Sequence, residues 1–294
     1  MPKGVKLNHS LFYDGIIHIF MNIQLDARYF YKNRFHEPIF LSFSLNASED
    51  YYRELKRALR MKRVVDRGFV RVGNAYDGGY VMLDGMSEGG VAYSFGICND
   101  VSWDLAVAQC GYEVFMYDHT IGMLPQQNER FHFFREGITG RAPCPKTRPL
   151  DTLENFILRN HHLDQTDMIL KMDVEGAEWD FLEFVSSETL ARFDQMVFEF
   201  HGLCTSTSLE DTARIIRCIK KLGKTHSLVH LHGNNMGIAV KNDIGYFPDA
   251  IEATYARTET HAFLEDDDIL LPIPLDAPNT PGHPEVPLGY WNRG

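Results

Sequence analysis

The chain alternates between short apolar runs and longer segments with apolar residues at helical spacing. The apolar runs have strand length, and they predict strands at residues 90–95, 112–118, 130–135, 168–172, 195–201, 227–232 and 250–255. The segments with helical spacing predict helices that begin near residues 102, 152, 177 and 207. Because strands and helices alternate, we expect an α/β fold in which a mostly parallel sheet carries helices on both faces.

Changes in composition divide the chain into three segments. We predict an N-terminal extension at residues 1–66 with one helix at 48–59, where Ser48 is suited to be the N-cap. The alternating pattern occupies a main domain at residues 67–260. Residues 261–294 form a tail that is first acidic and then rich in proline, which favours an extended conformation.

Charge and composition argue against several classes of partner. The 294 residues include 29 lysines and arginines against 40 aspartates and glutamates, a net charge of −11, so we expect no nucleic-acid partner. The most apolar N-terminal stretch, residues 15–23, is far shorter than the ~18 residues that span a bilayer, so we expect no membrane insertion. Five scattered cysteines without a C-x-x-C pair fit a reducing compartment, and we expect a cytoplasmic protein.

A small group of basic residues follows the helix at 48–59. Arg60, Lys62, Arg63 and Arg67 form either a solvated helix end or a binding site for an acidic acceptor. The solvated end is the ordinary arrangement, because such side chains are mostly exposed.

The strand predicted at 168–172 ends in an acid and turns into a helix. Asp173 closes the run, Gly176 makes a turn, and Ala177 begins a helical pattern. In open α/β sheets, ligands bind at the carboxyl ends of the strands, so an acid there can contact a cation or take a proton. In the structural alternative, Glu175 and Glu178 simply favour the positive end of the helix dipole.

A second acid follows a glycine loop at a spacing typical of nucleotide-like ligands. Gly96 follows the strand at 90–95, and Asp118 ends the next strand 22 positions later. At that spacing an acid can accept hydrogen bonds from ribose hydroxyls, while glycine lets the backbone approach the ligand. The sequence lacks the G-x-G-x-x-G pattern that binds a dinucleotide pyrophosphate, which argues against NAD.

Several segments resemble one family of enzymes. The segment LKMDVEGAEWDFL at 170–182 is similar to the signature of FkbM-type methyltransferases and of a related family of methyltransferase-like proteins. SFGICNDVSWD at 94–104, DGGYVM at 77–82 and HLHGNN at 230–235 resemble the methyltransferase-like family as well. The resemblance implies a Rossmann-like class I sheet that uses S-adenosylmethionine (SAM), with residues 67–260 as the methyltransferase domain.

The resemblance also implies a cofactor site at the carboxyl edge of the sheet. The SAM-binding residues that we predict, with adenine near the loop at 136–140, are Gly79, Tyr80, Gly96, Asp100, Asp118, Ile138 and Asp173. Asp77-Gly78-Gly79 is then either a plain hairpin turn or a loop close to the cofactor. Cys98 departs from the usual G-x-G-x-G loop, because it stands at the second glycine position.

Methyl transfer to a hydroxyl requires a group that removes the acceptor's proton. The candidates at strand ends are Asp173, Glu199, His201, His230 and His232. We predict Asp173 and His201 as the catalytic residues, and His230 as a packed core histidine. Asp173, His201 and His232 could together hold a divalent cation, but we do not expect a metal site.

Three functions stay open at this level. The favoured one is a SAM-dependent O-methyltransferase acting on a hydroxyl of a small molecule or glycan. The others are a methyltransferase of protein or other amine acceptors, and a non-catalytic binding protein with the SAM fold. Cys98 in the glycine loop keeps the last of these open.

Overall fold

The computed structural model describes residues 39–41, 48–86, 88–141, 149–206 and 208–293. These residues fall within one compact unit, Phe35–Gly294. Most of the predicted N-terminal extension, residues 1–38 and 42–47, lies outside the described part. The division into 1–66, 67–260 and 261–294 stays a prediction.

The described part contains six helices and eighteen strands. The helices are α1 (Glu49–Ala58), α2 (Ser102–Gln109), α3 (Leu153–Arg159), α4 (Glu178–Phe184), α5 (Ser187–Leu190) and α6 (Leu209–Leu222). The strands are β1 (Ile39–Leu41), β2 (Lys62–Val64), β3 (Phe69–Val72), β4 (Tyr80–Leu83), β5 (Gly90–Phe95), β6 (Tyr112–Tyr117), β7 (Phe131–Phe134), β8 (Gly137–Ile138), β9 (Leu150–Asp151), β10 (Met168–Met172), β11 (Phe193–Phe200), β12 (His226–Gly233), β13 (Ile238–Asn242), β14 (Gly245–Pro248), β15 (Ile251–Arg257), β16 (Phe263–Glu265), β17 (Leu270–Leu271) and β18 (Gly289–Tyr290). None of the described helices is long and apolar enough to cross a membrane.

Seven strands form the central sheet, in the order β12-β15-β11-β10-β5-β6-β7. The strands from β11 to β7 are parallel to their neighbours, and β15 lies antiparallel to both β11 and β12. The sheet is therefore mixed with a parallel majority, which confirms the predicted α/β class. Strands β5 and β10 have the bounds that the apolar runs predict.

The two faces of the sheet are covered by different elements. On the first face, Leu170 and Phe198 pack in one core with residues of α1, α3, α4 and α6. On the second face, Ile169 and Val197 pack in another core with α2 and the hairpin β3–β4. Successive strand residues point to opposite faces, which is why Ile169 and Leu170 belong to different cores. Helices therefore lie on both faces, as predicted.

The hairpin β3–β4 is fastened to the second face by a buried side chain of the sheet. Gln195 of β11 accepts a hydrogen bond from the backbone N–H of Leu83 at 2.9 Å. Its amide also donates to the carbonyl of the same residue at 3.3 Å. This two-point contact fixes the hairpin at one position on the sheet.

The C-terminal segment packs against helix α1. The side chain of Trp291 is buried, and its indole N–H donates to the carbonyl of Leu59 at 3.0 Å. The ring of Trp291 also packs edge-on against Phe247, with ring centroids 5.5 Å apart. The neighbouring Tyr290 is 42% exposed.

The acidic part of the tail pairs with the basic residues after α1. Arg60, Lys62 and Arg63 form ion pairs with acids at positions 265–267. Arg67 instead donates to the carbonyl of Gly85 at 2.9 Å. Three of the four basic side chains are thus engaged by the protein's own acids, an arrangement that neither interpretation of this group anticipated.

Candidate active site

Three predicted site residues lie where parallel strands end at one edge of the sheet. Gly96 follows β5, Asp173 follows β10, and His201 follows β11. Between β5 and β10 the strand order reverses, because the chain continues from β5 outward to β6 and β7 before it returns to β10. Such reversal points are where open α/β sheets bind their ligands.

Gly96 is required by the contact between two strand ends. Its φ is +79°, and a Cβ at this position would lie 1.6 Å from the carbonyl oxygen of Asp173. This reason is independent of any ligand, whereas the sequence suggested an approach to the cofactor. Cys98, at the second glycine position, has a φ of +49°. The cysteine thus keeps the left-handed conformation that glycine adopts most easily.

The hairpin β3–β4 reaches the site through Tyr80. The buried Tyr80 hydroxyl donates to Oδ2 of Asp173 at 3.3 Å. Burial, and then the charge of Asp173, raises the pKa of Tyr80, so the phenol stays a donor. Asp77-Gly78-Gly79 therefore belongs to a hairpin that also lies beside the site, and the two interpretations of this turn are compatible.

His201 lies among four carboxylates. Its Nδ1 is 3.2 Å from Glu178, and its Nε2 is 3.7 Å from both Glu175 and Glu199 and 3.9 Å from Asp173. Burial disfavours the charged ring, but the neighbouring carboxylates, Glu178 first, outweigh it and raise the pKa of His201 to about 10. At neutral pH the ring is therefore an imidazolium ion in this arrangement.

Glu199 is one of two buried acids that face each other on adjacent strands. It lies in β11 opposite Glu252 of β15. The side-chain amide of Asn234 donates to Glu199 at 2.6 Å. Burial, followed by the charge of Asp173, raises the pKa of Glu199 well above its usual range. A buried acid with a strongly raised pKa is typical of a functional site.

His232 does not join the group that we predicted. Its Nδ1 is 3.1 Å from Glu252 and its Nε2 is 3.0 Å from Glu285 of the tail. Within the described residues, the groups whose donor atoms come together are Asp173, Glu199 and His201. Glu199 thus takes the place that we assigned to His232, because the tail engages the histidine ring from its other side.

His230 is a buried core histidine, as predicted. Its Nε2 lies 3.1 Å from Asp276, another residue of the tail. Burial alone would raise the pKa of Asp276, but the hydrogen bond and charge of His230 lower it overall. His230 and His232 of β12 therefore hold the tail on the sheet.

Asp118 uses its carboxylate to hold the glycine loop. Oδ2 accepts hydrogen bonds from the backbone N–H groups of Ile97 and Cys98, both at 2.9 Å. Oδ1 accepts from the N–H and the hydroxyl of Thr120. Burial raises the pKa of Asp118, but these hydrogen bonds outweigh it and lower the pKa overall. All four lone-pair sites are thus engaged, and a ribose hydroxyl must share or displace them.

The other predicted cofactor residues have structural contacts. A Cβ on Gly79 would lie 2.0 Å from the carbonyl oxygen of Asn74, so the hairpin loop requires glycine there. Asp100 accepts a hydrogen bond from the N–H of Ser102 at the start of α2, at 2.7 Å. The side chain of Ile138 is buried in the core of the first face. Their roles in binding a cofactor stay predictions.

The sequence analysis did not predict that Glu178 is buried beside His201 or that Glu252 is buried opposite Glu199. Glu178 resembles an ordinary acid in the first turn of a helix, yet it is fully buried against His201. Glu252 lies in β15 between the apolar residues Ile251 and Ala253, and it is buried. The sequence signal for Glu252 is an acid between apolar residues of a predicted strand. Such an acid is expected to be buried, and a buried charge requires a partner.

The chain has an α/β fold, and its candidate ligand site lies at the carboxyl ends of the parallel strands of the central sheet. Residues 94–225 match the methyltransferase FkbM domain. This part of the chain is therefore similar to FkbM methyltransferase domains, which confirms the resemblance of the segment at 170–182. The matched range contains Gly96, Asp118, Asp173 and His201. No curated protein matches the chain.

Proposed function

We propose that this protein is a SAM-dependent methyltransferase that methylates a hydroxyl group of a small molecule or glycan. The observation that carries the proposal is the acidic cluster around Asp173 at the reversal point of the sheet, inside the FkbM domain. The strand order also supports a Rossmann-like fold. Numbered along the chain from β5, the parallel strands have the order 3-2-1-4-5 of doubly wound sheets.

The residues at this edge fit a cationic cofactor. SAM supplies a methyl group on a positively charged sulfonium. Asp173, Glu175 and Glu199 lie around His201, and none of them forms an ion pair with a lysine or arginine of the described residues. These three carboxylates share one positive neighbour, the ring of His201, and such an excess of negative charge favours a bound cation. The loop that Asp118 holds directly follows Gly96 and can carry the nucleoside part.

Within this proposal, Asp173 orients the acceptor and takes its proton. Tyr80 holds Oδ2 of Asp173, so Oδ1 remains for the acceptor. The Asp173 side chain is 27% exposed, so a substrate can reach it. His201 already carries a proton at neutral pH, because the surrounding acids raise its pKa to about 10. We therefore assign His201 to holding the carboxylates in place, and Asp173 to the role of base.

Replacing Asp173 by asparagine tests the proposal. Asp173→Asn keeps the shape of the side chain and removes its charge. Loss of a positioned general base lowers turnover by about 10²–10⁴-fold, and we expect that loss in methyl transfer with a much smaller change in SAM affinity. The measurement is transfer of labelled methyl from SAM to panels of glycans, small alcohols and protein extract, with SAM affinity from calorimetry.

Asp167→Asn is the matched control. Asp167 precedes the same strand at its amino end, far along β10 from the site, and its side chain is 62% exposed. This variant should keep its turnover. A structural Asp173 would give a lowered melting temperature with unchanged turnover of the folded protein. A parent protein that does not bind SAM in calorimetry contradicts the proposed function altogether.

A further inference from the structure

We propose that Asp173, Glu199 and His201 form a binding site for a divalent transition-metal cation. One carboxylate oxygen of each acid and one ring nitrogen of the histidine all lie within 4.8 Å of one another. The three residues follow or end two adjacent parallel strands, β10 and β11, so the sheet itself sets their spacing.

The distances between the donor atoms fit a shared ion better than direct contacts. His201 Nε2 is 3.7 Å from Oε1 of Glu199 and 3.9 Å from Oδ1 of Asp173. Both separations are too long for hydrogen bonds. Two donors that bind one cation at ~2.1 Å lie about 3.0–3.6 Å apart for ordinary coordination angles. A small inward movement of the side chains therefore completes the site.

Two of the three side chains are held in place by a second residue. Glu178 lies 3.2 Å from Nδ1 of His201, which turns Nε2 toward the two acids. Tyr80 donates to Oδ2 of Asp173 and leaves Oδ1 for the ion. A carboxylate on the far nitrogen of a histidine is the usual support of a metal ligand, because it fixes the ring and makes the ligand more basic.

The charge around His201 provides an independent argument. The side chain of Glu178 is 0% exposed, and its Oε2 has no hydrogen-bond partner among the described residues. No lysine or arginine of the described part forms an ion pair with Glu178, Glu199 or Asp173. A buried carboxylate oxygen without a partner is costly, and a nearby cation offsets that cost.

The donor set points to manganese or zinc. Carboxylates suit hard cations such as Mn²⁺, and an imidazole adds affinity for Zn²⁺ and its neighbours. The cation replaces the proton on Nε2, because a ligating histidine must be neutral. In the metal-bound protein Oδ1 of Asp173 binds the ion, and the acceptor hydroxyl would contact the ion instead of Oδ1; this last assignment rests on the proposed function.

Titration with MnCl₂ tests the site without SAM. Purified protein, first stripped with a chelating resin, is titrated by calorimetry, and bound Mn²⁺ is examined by electron paramagnetic resonance. We expect one ion per chain with micromolar affinity and a ¹⁴N coupling that disappears in His201→Gln. Glu199→Gln should weaken binding by at least about 100-fold and Glu178→Gln by about 10–100-fold.

Glu113→Gln is the matched control, since Glu113 also lies beside a histidine, 2.8 Å from His132, near the opposite end of the sheet. It should bind Mn²⁺ like the parent. Absence of binding of both Mn²⁺ and Zn²⁺ by the parent at 1 mM, on the order of the weakest useful affinities, overturns the site. So does equal affinity in the parent and Glu199→Gln. If Mn²⁺ binds as expected but stripped enzyme transfers methyl groups at the full rate, only the acceptor assignment fails.

Discussion

At the scale of single residues, burial alone does not decide the charge of a histidine in this protein. His226 and His232 are both buried, in the same strand. Burial lowers the pKa of His226 to about 4, because its ring meets only a backbone carbonyl and a hydroxyl. Burial also opposes the charge on His232, but Glu252 and Glu285 outweigh it and raise the pKa to about 10.

His232→Gln should therefore lower stability in a pH-dependent way. The folded pKa lies above the unfolded value of about 6.5, so the ion pairs stabilise fully below pH 6.5 and are lost as the pH rises through 10. We expect the variant to lose about 3 kcal/mol near pH 6, a typical cost of breaking a buried pair. The measurement is urea unfolding from pH 5 to 10.

His226→Gln is the control, and its pH dependence has the opposite sign. The folded pKa of His226 is depressed, so the neutral ring stabilises above pH 6.5 and the parent loses this contribution as the pH falls toward 4. Parallel pH profiles for the two variants would contradict these charge assignments.

At the scale of elements, the buried side chain of Gln195 helps to fix where the hairpin β3–β4 lies. Gln195 is buried and bonds to both the N–H and the carbonyl of Leu83. The hairpin in turn carries Tyr80 to Asp173. The contact between Tyr80 and Asp173 thus depends on a glutamine that lies 112 residues from Leu83 along the chain.

Gln195→Met should destabilise the protein by about 1–3 kcal/mol. Methionine has a similar volume but leaves two buried backbone groups of Leu83 without partners. Gln109→Met, at the exposed end of α2, is the control and should change stability by less than about 0.5 kcal/mol. Chemical denaturation measures both. Equal effects of the two substitutions would show that the hairpin is held by other contacts.

At the scale of the whole molecule, the C-terminal segment packs against the end of helix α1 and against the sheet. Trp291 packs on Phe247 and donates to Leu59 at the end of α1. Asp276 and Glu285 pair with His230 and His232 on the sheet. Residues far apart in sequence thus share one core, so the tail is part of the folded unit rather than an appendage.

Trp291→Ala should lower the free energy of unfolding by about 3–5 kcal/mol, because it removes a large buried ring and leaves a cavity. Tyr290→Ala is the control next to it. Tyr290 is 42% exposed, and its loss should cost less than about 0.5 kcal/mol. Thermal and urea unfolding compare the two. Similar losses for both residues would contradict the packing described for the tail.

The sequence by itself determined the central sheet and the edge that carries the site. The segment Met168–Met172 predicts a strand because four of its five residues are apolar, as in a strand that is covered on both faces, and all five residues are buried. Asp173 is at the strand end because it directly follows that run. These are local signals, since period and chain direction depend only on neighbouring residues. The family signature at 170–182 lies on the same turn.

Only the tertiary structure decided the charge states and hydrogen-bond partners of the side chains around His201. His201 is an imidazolium only because Glu178, Glu199 and Asp173 converge on it from different elements. His232 does not lie with Asp173 and His201, because its ring pairs instead with Glu285, which is 53 residues further along the chain. Hydrogen-bond partners and pKa values depend on which distant segments meet, and a pattern of neighbouring residues does not contain that information.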